Sequence, residues 1–190
     1  MKKFFILLTL LLLSAASLGA QNKAAIKTNI LSDATLSPNL ALEFGLAPKV
    51  TLDLSAAVNL WKSYGHTYNH IIAQPELRFW TCEKFHGFFF GIHAIGGKVS
   101  LGDLYNYKWI SPKAPNFREI SIKDALTLGG GISVGYDVIL SRHWNLEFEA
   151  GAGYAYIAGK QYKGDKLVSD KTVMDYVGPT KLAINLVYLF

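Results

Sequence analysis

Cysteine is nearly absent. Cys82 is the only one, so no disulfide forms within the chain and the fold must hold by packing and hydrogen bonding. No block of lysine or arginine occurs either. The chain carries 19 basic and 14 acidic residues, and setting aside Lys2 and Lys3 leaves 17 basic residues. That balance argues against nucleic acid as a partner. After Ala20 no apolar stretch approaches the roughly 18 residues of a membrane-spanning helix. Yet 51% of the residues are hydrophobic. A membrane protein without spanning helices has one other solution, a closed β-barrel, because the bilayer core leaves no exposed backbone group satisfied.

What is present begins with a targeting signal. Lys2 and Lys3 precede an apolar run from Phe4 to Leu13, small residues follow from Ser14 to Ala20, and Gln21-Asn22-Lys23 turns polar. This order is that of a cleaved secretory signal peptide, assigned to residues 1–20, with one barrel domain expected over 21–190. The apolar core of the signal is too short to span a bilayer as a helix.

The dominant period in the remainder is two. Val50, Leu52, Leu54, Ala56, Val58 and Leu60 share one face, with Thr51, Asp53, Ser55, Ala57 and Asn59 on the other. Similar alternation places strands at about 24–31, 39–47, 49–60, 70–80, 88–99, 125–138, 144–157 and 180–190. The connections 47–49, 81–87 and 139–143 are short, whereas 32–38, 61–69, 100–124 and 158–179 are longer. Short turns at one rim and long loops at the other fit an all-β, eight-stranded antiparallel up-and-down transmembrane β-barrel of the outer membrane.

Alternation alone does not say which face meets lipid. The less apolar face is rich in small residues, among them Gly45, Ser55, Ala57, Gly129, Gly131, Ser133, Gly135, Gly151 and Gly153. Such residues suit the narrow interior of eight strands, so the bulky apolar residues are expected outside. Aromatic residues gather near strand ends, with Trp61, Tyr64 and Tyr68 at one rim and Trp80, Phe85 and Trp144 at the other, as interfacial belts do. The last segment, with Ile184, Leu186, Tyr188 and Phe190 in step, resembles the signal read by the outer-membrane barrel-assembly machinery.

Three strings, KTNILSDATLSPNLALEFGLAPKVTLDLS from Lys27, QPELRFWTCEKFHGFFFGIHAIGG from Gln74 and SRHWNLEFEAGAGYAY from Ser141, resemble the domain-of-unknown-function 3575 family of small Bacteroidota outer-membrane proteins. The resemblance implies location and fold. It brings no activity and no catalytic residue.

Charged residues inside strands are the candidate site. Lys27, Glu43, Asp53, Glu76, Arg78, Glu147, Glu149 and Lys181, with His93 in the same phase, are expected to form one polar network in the barrel interior, since buried charge is costly unless paired. Glu147 and Glu149 also have the spacing of paired carboxylates, the catalytic alternative. Ser63, His66 and an interior Glu would make a hydrolase triad that no motif supports. His66 and His70 alone are a weak metal signal. The glycine clusters 129–131 and 151–153 lie in strands, so phosphate cradling is not indicated. Tyr105, Tyr107, Trp109, Phe117 and Arg118 in loop 100–124 are candidate interaction anchors, or else a self-packed cap.

The expectation is therefore a structural or interaction barrel and not an enzyme, with no cofactor and no metal. Its partners would be outer-membrane lipids, the assembly machinery during biogenesis, and an envelope or surface-appendage protein. An outer-membrane lipid-modifying enzyme and a periplasmic lipocalin-like small-molecule carrier remain the alternatives.

Overall fold

The computed structural model describes residues 24–60, 67–102, 121–164 and 166–190. Among them, eight strands follow one another: β1 (Ala24–Asn29), β2 (Asn39–Ala47), β3 (Val50–Asn59), β4 (Thr67–Trp80), β5 (Gly87–Gly102), β6 (Ser121–Ile139), β7 (Trp144–Lys163) and β8 (Lys166–Leu189). Each pairs antiparallel with the next, and β8 returns to β1, closing the barrel. One helical turn, α1 (Ile30–Ala34), follows β1. No helix among the described residues is long and apolar enough to cross a membrane, which says nothing of strands.

The alternation of the sequence appears as alternation across the wall. Along β5, Phe88, Phe90 and Ile92 are exposed while Phe89, Gly91 and His93 are buried. The start of this strand is apolar on both faces because Phe89 fills the interior. Pro75 in β4 points outward. It has no N–H to give, and the β4–β5 pairing skips residues 74 and 75 while keeping the same register on either side.

The structure corrects several expectations. β1 stops at Asn29, not residue 31, because the Asn29 side chain accepts from Leu31 N and starts α1. β4 begins at Thr67 and β6 at Ser121, so the loops at 61–69 and 100–124 are shorter than expected. The largest difference is at 158–179. There β7 and β8 continue as a hairpin, paired through Lys163↔Lys166. That stretch is rich in Lys, Asp, Ser and Thr and lacks one uniformly apolar face, so hydropathy alternation fades while the backbone ladder continues. Register shifts at Gly159, Gln161 and Tyr162 interrupt the pattern further. Residues 1–23, with the expected signal peptide, lie outside the described residues, as do Trp61, Tyr64 and the side chain of Tyr68.

Inside, three layers stack. At the end holding the short turns, Ala25, Trp80, Phe85, Phe89, Val187 and Leu189 form an apolar floor. Trp80 and Phe85 are 3% exposed, so they plug the interior and do not join a rim belt. Phe85 takes a left-handed backbone, φ 63°, an unusual conformation for a bulky residue, and its carbonyl accepts from Asn145 Nδ2 at 2.9 Å. Above the floor lies a charged layer. At the other end Val99, Ile122, Ala125, Ile157 and Met174 form a second apolar cluster.

Candidate functional site

Register creates the problem that the charged layer solves. Glu43 stands opposite Asp53 on β3, and Asp53 opposite Glu76 on β4. Like charges directly across a ladder repel, and these acids are at most 1% exposed. Cations enter between them. Lys27 Nζ donates to Glu43 Oε2 at 2.6 Å and pairs also with Asp53. Lys181 Nζ reaches Glu76 Oε2 at 2.8 Å and Glu149 Oε1 at 3.2 Å.

Arg78 is the hub. Its Nε donates to Glu76 at 2.7 Å, one terminal nitrogen donates to Glu43 at 2.9 Å and Glu147 at 2.8 Å, and the other donates to Glu149 at 2.7 Å. A guanidinium presents five N–H donors in one plane, and four carboxylates share them here. Glu147 and Glu149 are therefore both held by Arg78 and do not face each other as an unoccupied acid–base pair. His93 places Nε2 2.9 Å from Thr180 Oγ1 and Nδ1 3.5 Å from Glu76 Oε2.

The structure thus brings together Lys27, Glu43, Asp53, Glu76, Arg78, His93, Glu147, Glu149 and Lys181. Neutral residues extend the layer. Thr51 donates to Glu43 and accepts from Trp80 Nε1 at 2.9 Å. Asn185 Nδ2 donates to Glu147 Oε1 at 2.6 Å. Glycines make the room: a Cβ at Gly91 would run into Ser133 Oγ and the Glu76 carboxylate. Their role here is close approach of side chains.

A second polar assembly lies at the top of β1. Asn29 Nδ2 donates to Leu182 O at 3.1 Å, and its Oδ1 accepts from Ile184 N at 3.2 Å. The side chain so continues the β1–β8 ladder past the last backbone pair. Asn29 N donates to Asn39 Oδ1 at 2.6 Å, and Thr28 and Asn39 both donate to Asp33. Sequence reasoning missed this group. Its trace was the run Thr28-Asn29 with Asp33 and Asn39, types that hydrogen-bond backbone at helix starts and turns.

Between the charged layer and the upper apolar cluster is a cavity of about 710 Å³. Asp53, Arg78 and Lys181 line it together with Ile95, Val99, Ile157, Met174 and Thr127. His70 also lines it, and no group of three or more metal-ligating side chains occurs among the described residues. Ser63, His66, Tyr105, Tyr107, Trp109, Phe117 and Arg118 lie outside the described residues. At the opposite end, Tyr188 packs edge-on against Trp144 at 5.0 Å and Phe190 at 5.3 Å. Ile184 and Leu186 stand opposite Phe148 and Leu146 on β7.

The model of a family described as a protein of unknown function, DUF3575, matches residues 4–190, and the chain belongs to that family. No curated protein matches it.

Proposed function

We propose that the chain is exported by residues 1–20 and spans the cell outer membrane as a closed barrel, with a structural or interaction role and no enzymatic one. The observation that carries this reading is inverted polarity across the wall. Ile132 is 68% and Leu182 67% exposed outside, while Arg78 and Glu43 are 0% exposed inside. In water such an outer surface would be an apolar patch well beyond ordinary size. Against acyl chains it is the expected surface, and barrel closure pairs the strand backbones as the bilayer core demands. Trp144, Tyr188 and Phe190 at one rim suit the headgroup level.

A lipocalin-like carrier would turn its apolar face inward, the reverse of this arrangement. A lipid-modifying enzyme needs an available nucleophile or acid–base pair, and the Arg78 contacts occupy Glu147 and Glu149. The reading makes membrane lipids and the barrel-assembly machinery the first partners, with an envelope or surface-appendage protein as the further one.

Cell fractionation tests it. The protein should stay with outer membranes through alkaline carbonate washing and leave only with detergent, and its N-terminus should map near Gln21. Release into the wash would overturn the reading. An altered lipid A profile in a deletion strain would favour the enzyme instead.

A further inference from the structure

The two strands that close the barrel are very unequal. β1 has 6 residues and β8 has 24. They pair only through Asn185–Leu189 of β8. Beyond that seam β8 still pairs with β7 along one side, as far as Lys166. Among the described residues no strand lies along its other side there. Side chains close the first part of this gap. Asn29 Nδ2 donates to Leu182 O, and Asn29 Oδ1 accepts from Ile184 N. Gln74 Nε2 donates to Thr180 O at 3.0 Å, and the Tyr176 hydroxyl donates to Pro179 O at 2.7 Å. Pro179 has no N–H to leave open.

Farther along, from Lys166 to Val173, the described residues offer the backbone one such bond, from Ser169 Oγ to Lys171 O at 3.1 Å. Alternate residues of a strand turn N–H and C=O away from its antiparallel partner. This stretch therefore carries a row of backbone donors and acceptors on an open edge. A row with strand spacing is matched by another extended backbone and by little else. Leu167, Val168 and Val173 on the same stretch are 42%, 56% and 45% exposed, and β-branched side chains favour cross-strand packing. Lys166 and Lys171 against Asp170 leave the edge slightly basic, so a guest without lysine or arginine fits.

We propose that this edge of β8 binds an extended segment of a partner protein, which adds as a strand antiparallel to β8 where β1 stops. This names the contact for the interaction role proposed above and rests on that role, not on the membrane location. A second copy in the same membrane is a poorer occupant. Its own β8 would point the same way, and the two edges would meet parallel, against the antiparallel sense that β1 sets.

The full chain in zwitterionic micelles would be titrated with a capped peptide of four Thr-Val repeats between glutamates, with amide exchange read by NMR. Without peptide, alternate amides from Leu167 to Val173 should exchange quickly. Saturating peptide should slow those amides at least about tenfold and leave β2 and β3 unchanged. Two further peptides, methylated on every valine nitrogen or on every threonine nitrogen, separate strand addition from apolar adhesion. One should bind like the parent and the other not at all, because only one phase faces β8. Val168→Lys combined with Val173→Lys should weaken binding roughly tenfold while the barrel keeps its compact gel form. Absence of binding, equal binding of both methylated peptides, or alternate amides already slow without peptide, through a second copy or the chain itself, would each overturn the proposal. Fractionation reads the membrane location separately, so failure here leaves that reading standing.

Discussion

The guanidinium carbon of Arg78 lies 4.5 Å from the centroid of the Phe89 ring, and this contact joins the charged layer to the aromatic floor. Phe89 is wholly buried, so the cation–π attraction acts where water does not weaken it. Four carboxylates reach the pair from above, and the Trp80 ring, 4.8 Å from that of Phe89, packs from beside.

Removing Arg78 therefore takes a cation from four buried acids at once, leaving Lys27 and Lys181 as their charged partners. Breaking one buried pair by deleting a partner costs about 3–5 kcal/mol. Arg78→Ala should lower the temperature of heat unfolding in detergent, read as the loss of the compact, fast-migrating gel form. Arg78→Lys should recover only part, because a point charge does not reproduce the planar fork. An unchanged transition in Arg78→Ala would show that the network contributes nothing.

Gly135 makes the space for the Phe89 ring. A Cβ there would collide with the ring and also press on Phe148 O. Gly135→Ala should destabilise the barrel by about 1–3 kcal/mol, the usual range for overpacking. Phe89→Leu in the same chain should return part of the loss. Strictly additive effects in the double variant would contradict the contact.

Much of this was legible in the sequence because the period of two survives wherever the two faces of a strand meet different surroundings. Lys27, Glu43, Asp53 and Arg78 fall on the inward phase, and the structure puts them there. Register is another matter. That Glu43, Asp53 and Glu76 stand in one cross-strand row depends on how strands slide past each other, which composition does not encode. The long hairpin of β7 and β8 escaped for the complementary reason: no apolar face runs through it to mark its phase. Trp80 and Phe85 looked like belt residues because chain position near a strand end does not reveal side-chain direction.

The Asn29 side chain substitutes for missing backbone at the β1–β8 seam. Asn29→Ala should lose the contacts to Leu31 N, Leu182 O and Ile184 N together, costing about 1–3 kcal/mol. Asn29→Asp keeps an acceptor but loses the donor to Leu182 O, so its loss should be smaller. Hydrogen exchange checks the claim: the Ile184 amide should lose protection in Asn29→Ala while amides of β5 and β6 keep theirs. Uniform or absent change would contradict the seam assignment.

The aromatic floor and the charged layer together fill the barrel from Ala25 and Leu189 up to Lys181. Small side-chain-filled barrels carry no aqueous channel. In planar bilayers the unaltered protein should give conductance at the level of bare lipid. Steps well above that background would mean that the interior opens.

The central claim is that the outward apolar residues face acyl chains. A nitroxide attached at Ile132→Cys, in a Cys82→Ser chain reconstituted in lipid vesicles, measures this directly. The account predicts frequent collision with dissolved oxygen and little with a water-soluble nickel chelate. Ready access of the chelate and little oxygen contact at that site would contradict it.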